Sequence, residues 1–240
     1  MEGSVKPKAV FNWSGGKDSA LALYKVLRQG RYDVVALLTT ANGCTQRSSM
    51  HAIPVSLLEK QAAAIGLPLH VVPLTPQGDM ADYSRAMERA ARHFLSQGVT
   101  HFIFGDIYLH DVKTYREEQL APLGIEVVEP LWGLTSRQVM DEFLASGLRT
   151  VVVTVTDGML DKSFVGRTLD ASFVDDLPDG ADICGENGEY HTFCYAGGMF
   201  SHPVPFALTG PEKVTYSIRL DDGTVRDYSY WLAGLRDTGD

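Results

Sequence analysis

AVFNWSGGKDSALALYKVLRQG, residues 9–30, reads as a buried strand, a glycine turn and an amphipathic helix. AVFNW (9–13) is a short apolar run, and Ala20, Leu23, Tyr24 and Leu27 recur at helical spacing until Gly30 stops the pattern. The turn between them, SGGKDS (14–19), has the composition of a phosphate loop but not the common spacing. A Walker A loop needs a glycine five positions before the Gly of its Gly-Lys-Ser/Thr. Here position 11 is Phe11, and Lys17 is followed by Asp18.

Outward from this unit the same alternation continues. DVVALLT (33–39) predicts a second strand; Pro54 opens a helix with Val55, Leu58, Ala62 and Ile65 on one face, ended by Gly66. LHVVPL (69–74) is a third strand, and a longer helix carries Tyr83, Met87, Ala90 and Phe94 up to Gly98. VTHFIFGDI (99–107), IEVV (125–128) and TVVVTV (150–155) read as further strands, with Thr135 and Gln138 as a capping box for a helix bearing Val139, Met140 and Phe143. This order predicts an α/β fold, a mostly parallel sheet with helices on both faces, binding its ligand at the carboxyl ends of the strands. SGGKDS and GDI (105–107) both stand at such ends. The tail differs: KVTYSIRL, Asp222-Gly223 and TVRDYSYWL predict a β-hairpin, and HTFCY (191–195) a strand. The expected division is an ATP-type phosphate-loop domain over 1–130 and a smaller α+β substrate-binding domain over 131–240.

At 240 residues and 45% apolar, the chain can bury a core. A formal charge of −9, without a Lys/Arg run, predicts no generic nucleic-acid binding. Cys44, Cys184 and Cys194 form no CxxC, which points to a reducing cytoplasm and not to a disulfide framework or a zinc site. No apolar stretch approaches a membrane span, and MEGSVKPK lacks the apolar core of a signal peptide. The edge of the C-terminal hairpin offers a route to a homodimer.

A strand–loop–helix unit gathers backbone N–H groups and a helix N-terminus at one point, which favours anions. Gly15 and Gly16 allow close approach, Ser14 and Ser19 add hydroxyls, and Lys17 adds charge. Asp18 would repel bare phosphate, so it fits beside a magnesium ion or as an anchor for the loop. The plainer alternative is a glycine turn with a polar helix start. GENGEYH (185–191) sets Glu186, Glu189 and His191 among glycines: a loop to orient an amine, ligate magnesium or move a proton, or else a solvated turn. Asp106 suits either a catalytic or a loop-capping position, and His51 a hydrogen bond at a helix start. Cys184 and Cys194 read as core residues. Asp157 and Asp161 read equally as substrate-facing or turn residues.

SGGKDS resembles the pyrophosphate loop of the PP-loop ATP pyrophosphatases. LLTTANGCTQRSSMH (37–51), FGDI (104–107), the Arg116 region with LGIEVVEPLW (123–132), and above all DICGENGEYHTF (182–193) resemble the diphthine–ammonia ligase family, over about residues 8–206. That resemblance implies a Rossmann-like fold related to the adenine-nucleotide α-hydrolases. It implies ATP-dependent amidation of a carboxylate by ammonia, with Mg²⁺ and free ammonium. The acceptor would be diphthine on elongation factor 2 if the source is archaeal or eukaryotic. Carried over by residue, Ser14, Gly15, Gly16, Lys17, Asp18 and Ser19 would hold the departing pyrophosphate, with Asp18 toward the metal. Thr39, Thr40, Met50 and His51 would lie near the nucleotide, as would Gly105 and Asp106. Lys17 and Asp18 would serve the first chemical step, and Glu186, Glu189 and His191 the second. Tyr190 replaces a Phe of the family; Cys44 stands where an acidic or polar residue is expected; YAGGMF (195–200) is looser than the family form. The other readings are a tRNA-modifying PP-loop enzyme, disfavoured by the charge and the missing CxxC, and a non-catalytic adenine-nucleotide sensor.

Overall fold

Short β-branched runs separated by helical stripes give a sheet with helices on both faces. The computed structural model describes residues 5–49, 52–75, 80–219 and 224–239. In chain order the first half holds β1 (Lys8–Asn12), α1 (Lys17–Gln29), β2 (Asp33–Asn42), β3 (Arg47–Ser48), α2 (Val55–Ile65), β4 (Leu69–Leu74), α3 (Met80–Leu95), β5 (Val99–Ile103), α4 (His110–Leu120) and β6 (Glu126–Val128). The rest holds α5 (Ser136–Ala145), β7 (Arg149–Thr156), α6 (Ala171–Asp175), β8 (Tyr190–Ala196), β9 (Phe206–Leu208), β10 (Glu212–Arg219), β11 (Val225–Leu232) and β12 (Leu235–Asp237). Among the described residues no helix is long and apolar enough to cross a membrane.

The first sheet runs β4-β2-β1-β5-β6, all parallel. Because β1 leads to β2 on one side and meets β5 on the other, the chain reverses its winding between β1 and β5. The loops after those two strands therefore diverge and leave a crevice at their carboxyl ends. Side chains alternate between two cores. Ala9 and Phe11 face α1 and α2, while Val10 faces α3. β2 outruns β1, and Ala41 and Asn42 of the overhang pair antiparallel with β3.

The parallel alternation stops at β6. TVVVTV does not extend it: β7 lies in a separate antiparallel sheet of order β10-β11-β7-β8. The hairpin strands pair as read, from Glu212↔Leu232 to Arg219↔Val225, while the Asp222-Gly223 turn lies outside the described residues. Thr135 and Gln138 form the expected capping box. The α1 stripe is wider than its periodicity: Leu21, Ala22 and Val26 are buried, whereas Leu27 is exposed. α1 is covered by the sheet on one side and by α5 and β8 on another, so more than one face is apolar.

β8 joins the two sheets at the glycine turn. Cys194 N–H donates to the Gly15 carbonyl (2.8 Å), and Lys17 N–H donates to Thr192 Oγ1 (2.9 Å). Gln61, fully buried on the apolar face of α2, completes the seam. It accepts from Trp13 Nε1 (2.8 Å) and donates to the carbonyls of Gly15 (3.0 Å) and Cys194. Gly15 has φ +81°, and a Cβ there would lie 2.8 Å from Leu58 Cδ2, so no other residue fits this turn. Gln61→Leu keeps the volume but leaves an indole N–H and two carbonyls buried without this partner. Urea unfolding is expected to show a loss of about 2–4 kcal/mol, and a loss below about 1 kcal/mol would show that the seam does not depend on Gln61.

Candidate functional site

The crevice between the β1 and β5 loops is a cleft of about 300 Å³, closed on its third side by the segment entering β8. Of the residues singled out from the sequence, it brings together Ser14, Gly16, Lys17, Asp18, Ser19, Thr39, Thr40, Gly105, Asp106, Glu186 and His191. Gly15 lies behind the loop, in contact with Leu58 and Gln61. Met50 and His51 fall outside the described residues.

The loop is preorganised by its own hydroxyls. Ser14 N–H donates to Ser19 Oγ, and Gly16 N–H to Ser14 Oγ, each at 3.3 Å. Helix α1 begins at Lys17, whose N–H is taken by Thr192 Oγ1, and Asp18 and Ser19 of the same first turn line the cleft. Lys17 is buried, 2% exposed, and its ammonium pairs with Asp18. Burial disfavours that charge, but the Asp18 carboxylate, by its charge and its hydrogen bond, together with Tyr190 and Cys184 holds the lysine above its ordinary range. Gly105 supports the loop from the other lip. A Cβ on it would sit 2.9 Å from Ser19 Cα, so the end of β5 can abut the first turn of α1 only with glycine there.

The GENGEYH carboxylates divide into two kinds. Glu189 is 1% exposed and turned into its own loop, where it accepts from Asp182 N–H (2.8 Å), Asn187 N–H (3.0 Å) and Asn187 Nδ2 (3.1 Å). Asp182 accepts from Cys184 N–H (2.8 Å), Glu186 N–H (3.3 Å) and Ser136 Oγ. These two acids shape the loop, and Glu186 is left on the cleft wall. Burial, then the nearby Asp18 charge, pushes Glu186 up to about 7. Burial also holds His191 below the usual histidine range, against the pull of Asp18. Cys184 is buried and donates to the Ser136 carbonyl; burial raises its thiol to about 12, and that of Cys194 likewise. Both are core thiols, not thiolate nucleophiles. Asp157 and Asp161 are turn residues: Asp157 holds Trp231 Nε1 and Lys213, and Asp161 caps a short helical turn through Ser163.

Several lining residues had no signal in the sequence. Thr192 follows His191 on β8 and faces the loop only because β8 docks there. Tyr83 and Met87 of α3 read simply as an apolar stripe. Among the described residues no group of three His, Cys, Asp or Glu side chains could hold a metal by itself. Magnesium needs only one or two carboxylates when phosphates supply the rest, and Asp18, partly exposed beside the phosphate loop, fits that donor set.

Residues 7–126 match the family model described as the diphthamide synthase N-terminal domain, and residues 135–208 the one described as the diphthamide synthase C-terminal domain. A diphthine–ammonia ligase from Danio rerio is 24% identical, over 85% of this chain and 87% of its own.

A carboxyl raised from 4.5 to about 7 stabilises the fold as the neutral acid. That stability is fully present below pH 4.5 and is lost as the pH rises through about 7. Relative to Glu186→Gln, the native protein should therefore lose melting temperature between those limits and stay level above them. Carboxyl-carbon NMR should place the Glu186 titration near pH 7; an ordinary glutamate value would overturn this account of the wall.

Proposed function

The chain belongs to the diphthamide synthase family and is a ligase, and from that premise we propose that this cleft makes an amide from a carboxylate, ATP and ammonia. The acceptor in this reading is diphthine on elongation factor 2. The observation that supports it most directly is the placement of one carboxyl, Glu186, on the wall facing the phosphate loop and raised into the neutral range.

In the first step the acceptor carboxylate oxygen attacks the α-phosphorus of ATP, and the bond to the bridging oxygen of pyrophosphate breaks. Charge grows on pyrophosphate, where the Lys17 ammonium and the N–H groups opening α1 receive it. Asp18 together with phosphate oxygens would hold Mg²⁺, which supplies neutralising charge to the leaving group. Thr39 and Thr40, near the end of β2, belong to the nucleoside end in this reading.

In the second step ammonia attacks the acyl carbon of the adenylate, the C–O bond to AMP breaks, and two protons must leave ammonium in all. Glu186, about half ionised near neutrality, takes the first from ammonium as its lone pair is released. The second leaves the nitrogen after attack, and His191 is placed to accept it. Glu189 acts indirectly, by holding the loop that presents Glu186.

Two variants separate the steps. Lys17→Ala should lower pyrophosphate–ATP exchange by about 10²- to 10³-fold. Glu186→Gln should leave exchange and ATP affinity nearly intact and lower amide formation by roughly 10²- to 10⁴-fold. Loss of ATP binding in the Gln variant would move Glu186 into the nucleotide site and defeat the division of roles.

A further inference from the structure

Among the described residues the cleft lining holds two permanent side-chain cations, Lys17 in the SGGKDS loop and Arg116 beside the end of β5. Lys17 belongs to the loop through Asp18 and Thr192. Arg116, from α4, has no such assignment. Its guanidinium lies 3.9 Å over the Phe104 ring, where β5 ends. Nη1 pairs with Asp106, just after β5, and lies 3.8 Å from Glu129 Oε1, just after β6. Phe104 N–H donates to the Val128 carbonyl at 2.9 Å, so the two strand ends that flank the guanidinium are tied together. The side chain of Glu129 is 1% exposed, and its second oxygen is 3.4 Å from Lys113 Nζ, which itself lies 4.2 Å over the Trp132 ring.

This is a costly arrangement. Burial lowers the pKa of Arg116, against the pull of Tyr83 and then of Glu129, and raises that of Glu129, against Lys113 first and then Arg116. Both carboxylates approach the same atom, Nη1, and the guanidinium carbon is held over the Phe104 ring. The donors at Nε and Nη2 remain in a fork of fixed direction, on a residue that lines the cleft. A carboxylate that must attack a phosphate in this cleft approaches a polyanion, and without a counter-charge the two repel. The loop cations are taken up by phosphate.

We propose that Arg116 is the anchoring residue for the acceptor carboxylate, with Asp106 and Glu129 as the positioning residues that hold its guanidinium against Phe104. This rests on the amide-forming reading above. The same fork could receive ATP phosphate instead, and the experiment distinguishes the two anions.

The test uses the full-length protein, with magnesium-ATP binding measured by calorimetry and steady-state amide formation on diphthine-bearing elongation factor 2. Wild-type turnover is the control for the reading itself: if the wild type makes no amide, that reading fails and this inference falls with it. Given turnover, Arg116→Lys, which keeps charge and loses the fork, should raise KM for the acceptor roughly 10- to 100-fold and leave the ATP Kd within about twofold. Glu129→Gln should raise the same KM by less, again without moving the ATP Kd. Guanidinium ion added to Arg116→Ala should recover part of the lost acceptor affinity. A parallel rise in ATP Kd would assign Arg116 to the phosphates, and unchanged constants in Arg116→Lys would make the cluster purely structural; either result overturns the proposal.

Discussion

The buried amide of Gln61 is the point on which the arrangement depends. It joins three segments far apart in sequence: its own helix α2, the run from Trp13 to Gly15 that leaves β1, through the indole and the Gly15 carbonyl, and β8, through the Cys194 carbonyl. An amide suits this place because it offers both an acceptor and two donors without charge. Each group it satisfies would otherwise be a buried polar atom, so the three segments are held to one geometry. The phosphate loop consequently has a fixed back, formed by a strand of the other sheet, and a fixed front open to the cleft.

That back wall has electrostatic consequences. β8 brings Thr192 against the Lys17 N–H and His191 onto the cleft surface, and the turn before it carries Glu186. Asp18 then acts in two directions. It sustains the Lys17 ammonium in a buried place, and it discourages a second negative charge on Glu186. One carboxylate thus sustains a buried cation and holds a neighbouring carboxyl well above the usual carboxylate range.

The far lip follows the same economy of paired charge. The Arg116 and Glu129 side chains are both largely buried, and Glu129 stands between Arg116 on one side and Lys113 on the other. The Arg116 guanidinium over Phe104 adds a cation–π contact. Among the described residues the two permanent cations of the cleft therefore stand one in the SGGKDS loop and one beside the end of β5, which suits the joining of two anionic reactants.

The sequence alone determined the local architecture, because strand runs, helix stripes, caps and glycine stops are short-range signals. It placed the strand–SGGKDS–helix unit, the capping box at Thr135 and the parallel alternation through β6. It also singled out GENGEYH, through its composition and its resemblance to a family, and that segment lines the cleft through Glu186 and His191. Tertiary structure decided what each of those residues does. Glu186 and Glu189 are indistinguishable in sequence, yet the loop's own N–H groups consume one and leave the other on the cleft. Gly105 read as a nucleotide contact, whereas its lack of a side chain is required by the backbone of Ser19. β7 carries the same apolar run as the parallel strands, and only its partner β8 placed it in another sheet. Gln61 interrupted an apolar stripe without revealing why, and Arg116 sat in a helix polar all round. Hydrogen-bond partners, burial and neighbouring charge are properties of residues separated by tens or hundreds of positions, and a sequence pattern with a period of two or 3.6 does not encode them.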